Sequence, residues 1–103
     1  MRRGEVWWVE HPTAGRRPHL ILTRDPAIDG LARVLGVPAT RTVRGIPSEV
    51  ELGPDDGLPD RCVLSFDNMR VVRKAHCVHR ICTLGPERME HVCRALAIAT
   101  GCR

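Results

Sequence analysis

Arg17 is the residue whose type and position most clearly suggest chemistry. It precedes Pro18 and an apolar run, within the segment RPHLILTRD at 17–25. A residue before proline is pushed towards an extended backbone, because the proline ring clashes with the helical alternative. We therefore expect Arg17 to be fixed at the start of a strand. A guanidinium fixed in this way can donate paired hydrogen bonds, so this position predicts a phosphate-binding site.

The charge of the chain permits an anionic partner. The 103 residues include 16 basic and 12 acidic ones, for a formal net charge of +4, and Lys74 is the only lysine. Arginine suits bidentate phosphate contacts and stacking on bases. A GC-rich genome that favours arginine codons would produce the same bias, so composition alone leaves both explanations open.

A cluster of possible zinc ligands lies near the C-terminus, at His76, Cys77, His79 and Cys82. Its spacing matches no standard zinc finger, and a strand through it would divide the side chains between two faces. The odd number of cysteines, five, also argues against a disulfide framework. We expect no metal and no cofactor, and we expect the cysteines to be reduced and partly buried.

The chain has the composition of an ordinary globular protein, with 43% hydrophobic and 27% charged residues. No segment approaches the roughly 18 uninterrupted apolar residues of a membrane span. The N-terminus reaches Glu5 and Glu10 too soon for a signal peptide. We expect one cytoplasmic domain over residues 1–103, with no association with a membrane.

Short strands must position most of these residues. Apolar runs and alternation predict strands at 4–10, 18–23, 34–39, 48–52, 62–66, 70–72 and 77–83. In the fourth of these, Val50 and Leu52 should point inwards while Glu49 and Glu51 face water. Many short strands in one small chain predict a mainly β domain, built as a strongly bent sheet or barrel.

Two helices complete the predicted fold. Asp25 as an N-cap, followed by Pro26, predicts a short helix that runs to about Leu31. A longer helix should begin at Gly85-Pro86-Glu87 and end at Gly101. Its predicted apolar face consists of residues at helical spacing, namely Met89, Val92, Cys93, Leu96 and Thr100.

Five segments in this order resemble the MazF/PemK toxins of bacterial toxin–antitoxin pairs. They are RRGEVWWV, RRPHLILTRD, VPATRTVRGIPSEVEL, CVLSFDNMRVV and ICTLGPERMEHVCRAL. The resemblance implies a small SH3-like barrel of the MazF/CcdB/Kid type with a C-terminal helix, working as a homodimer. It also implies sequence-specific, metal-independent cleavage of single-stranded RNA by 2′-hydroxyl attack, restrained by a cognate MazE-like antitoxin. The expected product is a 2′,3′-cyclic phosphate.

Carried over by position, the catalytic arginine of the family falls on Arg17 and its catalytic hydroxyl on Thr40. Polar and basic residues near these two positions are the candidate RNA contacts: Arg16, His19, Arg41, Thr42, Arg44, Asn68 and Arg70. A solvated surface role remains the alternative for Arg16 and His19, and an Asx turn with Asp67 remains the alternative for Asn68.

The group that accepts the proton is open. Many family members have a longer first loop with an acidic residue before the arginine, whereas this chain reads HPTAGRR. Glu10, His11 and His19 are the remaining candidates, and His19 should share a strand face with Arg17 by alternation. A guanidinium is a poor base because it stays protonated above about pH 12.

Two other classes of function fit the same fold. One is a CcdB-like toxin that binds DNA gyrase without cutting RNA, although the presence of both Arg17 and Thr40 argues against it. The other is a catalytically silent RNA-binding module, which would bind RNA in a salt-sensitive way and leave it intact.

Overall fold

Seven antiparallel strands and two α-helices make up the computed structural model, which describes residues 1–102. The strands are β1 Glu5–His11, β2 Gly15–Ile21, β3 Arg33–Thr40, β4 Glu49–Leu52, β5 Cys62–Ser65, β6 Arg70–Arg73 and β7 Cys77–Thr83. The helices are α1 Asp25–Ile28 and α2 Pro86–Thr100. The mainly β fold with a C-terminal helix is therefore confirmed.

Strand β3 is the centre of the sheet, because three other strands pair with it. The sheet order is β4-β5-β3-β2-β1-β7, and β6 pairs with β3 outside this path. Residues 36–38 of β3 pair with β2, residues 33–36 with β6, and residues 39–40 with β5. The end of β3, at Thr40, thus lies beside strands from distant parts of the sequence.

The second strand begins earlier than the sequence predicts. It starts at Gly15 and not at Pro18, so Arg16 and Arg17 already pair with β1, opposite Glu10 and Val9. The β1–β2 hairpin closes up to its turn, since antiparallel neighbours gain backbone hydrogen bonds along their whole length. Arg17 consequently lies inside the strand and not at its start.

The short helix also differs from its prediction. It ends at Ile28, and its N-cap residue is Arg24, with no side-chain cap. The carboxylate of Asp25, the predicted cap, instead accepts a hydrogen bond from the backbone N–H of Arg3 at 2.7 Å. Asp25 therefore contacts a residue that is distant in the sequence and does not cap the helix.

Apolar side chains from both ends of the chain form the core. Val6, Leu20, Val37 and Leu64 have no exposed surface, and Phe66 is almost fully buried beside them. The predicted alternation of β4 is confirmed, since Val50 and Leu52 are buried whereas Glu51 is exposed.

Helix α2 has the predicted bounds, and Met89, Val92 and Leu96 of its predicted apolar face pack against the core. Val92 and Ala95 are buried, while Cys93 and Thr100 are exposed. The pattern of large apolar residues overlooks Ala95, which is also buried in the core. No helix within residues 1–102 is long and apolar enough to cross a membrane.

Candidate active site

The largest group of predicted functional residues lines one open cleft, which we call the Thr40 cleft. Its volume is about 650 Å³. Six of the predicted catalytic and RNA-binding side chains line it: Arg17, Thr40, Thr42, Arg44, Asn68 and Arg70. The cleft therefore assembles residues from β2, β3, the loop after β3, the turn before β6 and the start of β6.

Strand register explains why Arg17 and Thr40 meet. In the β2–β3 ladder, His19 lies opposite Pro38 and Leu20 opposite Val37. Continuing this register by two residues places Arg17 opposite Thr40, and both side chains line the cleft. Arg17 is exposed, and no carboxylate within residues 1–102 forms a salt bridge with it. Its guanidinium is therefore available to an anionic ligand.

Backbone and side-chain hydrogen bonds fix the rim of the cleft. The hydroxyl of Thr40 accepts a hydrogen bond from the N–H of Thr42 at 3.2 Å. Glu49 accepts hydrogen bonds from the backbone N–H groups of Arg44 and Gly45, both at 3.0 Å. The loop that carries Thr42 and Arg44 is thus tied to strand β4.

The turn at residues 66–68 forms the opposite rim. Asn68 donates a hydrogen bond from its amide to the hydroxyl of Ser65 at 2.7 Å. Asp67 accepts one from the hydroxyl of Ser48, also at 2.7 Å. These contacts orient two polar side chains of the turn towards the same cleft that contains Thr40.

Two carboxylates in the Thr40 cleft were missed by the sequence reasoning. Glu49 and Asp67 both line it. Alternation in SEVEL did identify Glu49 as outward-facing, but alternation cannot say which neighbouring surface an outward residue meets. Each carboxylate has one oxygen engaged by the contacts above, which leaves the other oxygen for a ligand.

Arg16 and Arg41 lie in an adjoining cleft of about 380 Å³, which also reaches Arg17 and Thr40. The guanidinium carbon of Arg16 lies 4.5 Å from the centre of the Trp8 ring, at cation–π distance. Arg41 forms an ion pair with Asp60 at 3.1 Å, with side chains 83% and 64% exposed. Such an exposed pair is weak, so Arg41 remains free to contact an anionic ligand.

His19 is buried, so the alternative of a solvated surface histidine is wrong for it. It is 3% exposed, and its Nδ1 donates a hydrogen bond to the carbonyl oxygen of Arg17 at 3.1 Å. Its Nε2 has no hydrogen-bond partner within residues 1–102. Burial, followed by the charges of Arg70 and Arg17, lowers the pKa of His19 to about 4. The ring is therefore neutral near pH 7.

Glu10 and His11, the other two predicted proton acceptors, do not line the Thr40 cleft. Glu10 lies on the exposed hairpin, opposite Arg16. His11 accepts hydrogen bonds at Nδ1 from the N–H groups of Thr13 and Ala14, both at 3.2 Å. Its ring therefore stabilises the hairpin turn.

The C-terminal histidines and cysteines do not converge. Strand β7 contains Cys77, His79 and Cys82, while His76 precedes it. Within the part of the chain that the structure describes, no three His, Cys, Asp or Glu side chains are placed to bind a metal ion. Burial raises the pKa of the Cys82 thiol to about 11, which makes it a poor nucleophile.

Comparison with known proteins places this geometry in context. The family model described as "PemK-like, MazF-like toxin of type II toxin-antitoxin system" matches residues 2–100. The chain is 43% identical to "Probable endoribonuclease MazF2" of Mycobacterium tuberculosis, over 99% of this chain and 100% of the relative. It is 45% identical to "Probable endoribonuclease MazF5" of the same organism, over 97% of this chain and 93% of the relative.

Solved structures give the same similarity at the level of the fold. An "Endoribonuclease in complex with its cognate antitoxin from Mycobacterial species" superimposes with a TM-score of 0.88 and 29% identity. This match covers 100% of this chain and 97% of the other. "Mycobacterium tuberculosis toxin MazF-mt6" superimposes with a TM-score of 0.87 and 28% identity, covering 94% and 96% of the two chains.

Proposed function

Because this chain belongs to the PemK-like, MazF-like family of toxins of type II toxin–antitoxin systems, we propose that its Thr40 cleft is the active site of an RNA-cleaving toxin. The chain is an endoribonuclease, the activity that the names of the relatives above give. One observation carries the proposal for the site. Arg17 and Thr40, from two neighbouring strands, line one open cleft together with further basic and polar side chains.

The reaction that fits these residues uses the nucleophile of the RNA itself. The ribose 2′-oxygen attacks the adjacent phosphorus, and the bond from phosphorus to the 5′-oxygen breaks. The products are a 2′,3′-cyclic phosphate and a 5′-hydroxyl. One proton leaves the 2′-oxygen and one proton must reach the 5′-oxygen, so the protein has to align the reacting atoms, stabilise charge and assist proton transfer.

Arg17 supplies charge stabilisation in this proposal. Negative charge builds up on the non-bridging oxygens as the phosphorus becomes five-coordinate. A guanidinium already placed in the cleft stabilises that charge more than it stabilises the starting phosphodiester. Pairing with β1 fixes the backbone of Arg17, which lowers the cost of positioning its side chain.

Thr40 supplies a hydroxyl on the opposite strand. Its oxygen already accepts the Thr42 N–H, so its own proton is free to be donated to a phosphate oxygen. Thr42, Arg44, Asn68 and Arg70 surround this pair and are the proposed contacts to neighbouring nucleotides. Arg16 on Trp8, together with Arg41, extends the proposed contact surface into the adjoining cleft.

The carboxylates Glu49 and Asp67 are the proposed proton acceptors. Both line the Thr40 cleft, and each has one carboxylate oxygen that none of the hydrogen bonds above engages. Glu10, His11 and His19 have less support for this role. His19 is buried with a strongly lowered pKa, and the other two lie away from Thr40.

The biological setting follows from the family. A structural neighbour is an endoribonuclease bound to its cognate antitoxin. We propose that a MazE-like antitoxin with an acidic segment covers the basic cleft of this chain and so blocks access of single-stranded RNA. We expect the active form to be a homodimer located in the cytoplasm. Residues 1–103 form one domain in this proposal.

Cleavage of a defined RNA by the purified protein tests the proposal. In the presence of EDTA we expect internal cuts whose new ends are a 2′,3′-cyclic phosphate and a 5′-hydroxyl. New 5′-phosphate ends, or a strict requirement for a divalent metal, would contradict the mechanism. Intact RNA after long incubation would instead support the silent RNA-binding module, and inhibition of gyrase supercoiling would support the CcdB-like alternative.

A further inference from the structure

A second cleft lies on the other side of Arg17, and the proposed reaction does not use it. Its volume is about 460 Å³. Arg17 and Arg70 line this second cleft as well as the Thr40 cleft, so the two clefts share these side chains as a common ridge. Arg33, Arg73 and His76 line the second cleft and not the Thr40 cleft.

The second cleft is strongly cationic. Four arginines line it, and its lining includes no aspartate or glutamate. Within residues 1–102, neither Arg33, Arg70 nor Arg73 forms a salt bridge. The Thr40 cleft differs, since it contains the carboxylates of Glu49 and Asp67. The second cleft therefore has the more uncompensated positive charge.

Strand register brings two of these charges together. Arg33 on β3 lies directly opposite Arg73 on β6, and both are exposed. Like charges directly opposite each other on neighbouring strands destabilise a sheet. An anion bound between the two guanidinium groups would remove that repulsion, and guanidinium groups bind phosphate particularly well.

We propose that the second cleft binds phosphates of the RNA strand beyond the cleaved nucleotide, so that the strand crosses the Arg17–Arg70 ridge between the two clefts. This proposal rests on the proposed function and names a further part of the substrate site. Continuity between the clefts favours RNA over an unrelated anion, because one polyanionic strand can occupy both at once.

The salt dependence of RNA binding tests this proposal. The probe is a fully 2′-O-methylated RNA of about 20 nucleotides, longer than the roughly 4–16 nucleotides that a small single-strand-binding domain covers. It lacks the nucleophile, so it binds without being cut. Fluorescence anisotropy measures its affinity between about 50 and 200 mM salt, for the wild type and for R33Q/R73Q.

Losing two phosphate contacts should reduce the slope of log affinity against log salt by about 1.4, since each contact to a single strand contributes about 0.7. Over this fourfold range of salt, R33Q/R73Q should therefore lose about sevenfold less affinity than the wild type. The matched control is R24Q/R94Q, which removes the same charge from exposed residues outside both clefts. Its slope should equal that of the wild type.

Equal slopes for the wild type and R33Q/R73Q would overturn the proposal, as would equal reductions in both double variants. R33Q/R73Q should keep its Tm, because it removes a repulsive pair, and an unfolded variant would contradict the like-charge argument. Cutting of unmodified RNA by the wild type is measured separately. A wild type that binds the probe with the expected slopes but cuts nothing would refute the proposed function and leave the second cleft supported.

Discussion

Arg17 and Thr40 come opposite each other when the β2–β3 register is continued by two residues beyond the His19–Pro38 pair, although 22 residues separate them in the sequence. Both side chains line the Thr40 cleft. A strand pair keeps such a spacing without the help of loops, because its backbone hydrogen bonds fix the register. Because both side chains line one cleft, they form a candidate catalytic pair and are not two unrelated surface residues.

Arg17→Ala should lower the rate of RNA cleavage by about 100- to 1000-fold, the usual cost of removing one donor to a developing negative charge. Its Tm should stay unchanged, because the side chain is exposed and outside the salt bridges of the fold. Single-turnover cleavage and thermal denaturation measure the two quantities. Arg94→Ala, an exposed substitution on α2, is the control. A rate for Arg17→Ala close to that of the control would remove Arg17 from the site.

Thr40→Val should reduce the cleavage rate by about 10- to 150-fold, the equivalent of roughly 1.5–3 kcal/mol for a hydrogen bond to a charged group. Valine keeps the shape of threonine but cannot donate. Thr40→Ser, which keeps the hydroxyl, should retain most of the activity. An active Thr40→Val variant beside an impaired Thr40→Ser variant would show that the methyl group and not the hydroxyl matters.

Glu49→Gln and Asp67→Asn identify the proton acceptor. The amides keep the size of the side chains, and their carbonyl oxygens can still accept the hydrogen bonds that fix the rims of the cleft. We expect the variant that loses the acceptor to cleave more slowly and to lose the acidic limb of the pH–rate profile. If both variants keep the pH–rate profile of the wild type, neither Glu49 nor Asp67 is the proton acceptor. Glu10 and His11 would then be the remaining candidates.

His19 should make the folded state sensitive to acid. Its pKa in the folded protein is about 4, against an ordinary value of 6.5, so the unfolded chain binds more protons between these values. The free energy of unfolding should therefore fall as the pH drops from about 6.5 to about 4, by as much as roughly 3 kcal/mol.

His19→Asn should flatten this dependence, because asparagine does not titrate. Urea denaturation at several pH values measures it, with the exposed His79→Asn as the control. A slope that persists in His19→Asn would assign the acid sensitivity to another group, such as Glu5. The pKa of Glu5 is lowered in the folded protein, with contributions from hydrogen bonds donated by the Trp7 indole, the backbone N–H of Arg2 and Arg80.

Gly36→Ala should destabilise the sheet beneath both clefts by about 1–3 kcal/mol, the usual cost of overpacking. A Cβ at this position would lie 2.9 Å from Cγ2 of Val72 and 3.5 Å from Cδ2 of His19. Chemical denaturation measures the effect. Gly30→Ala, where a Cβ meets only a carbonyl oxygen at 3.9 Å, should change stability little. Equal stabilities would mean that β6 shifts freely to accommodate the methyl group.

The sequence by itself determined the strands, helix α2 and the association of Arg17 with Thr40. Strand signals are local, because apolar side chains alternate or cluster over a few residues. The bounds of α2 were equally local, since Pro86 begins the helix and Gly101, at a φ of 71°, ends it. Family resemblance then matched Arg17 and Thr40 to functional positions.

Only the tertiary structure decided the surroundings of those residues. Alternation correctly grouped His19 with Arg17, and both line the second cleft. It could not reveal that the imidazole would be buried, because that burial comes from packing against a neighbouring strand, near Gly36. In the same way, the pairing of β4 with β5 places Glu49 in the Thr40 cleft, and the turn at residues 66–68 places Asp67 there. Local periodicity fixes which side chains share a face, but contacts between distant segments decide what that face meets.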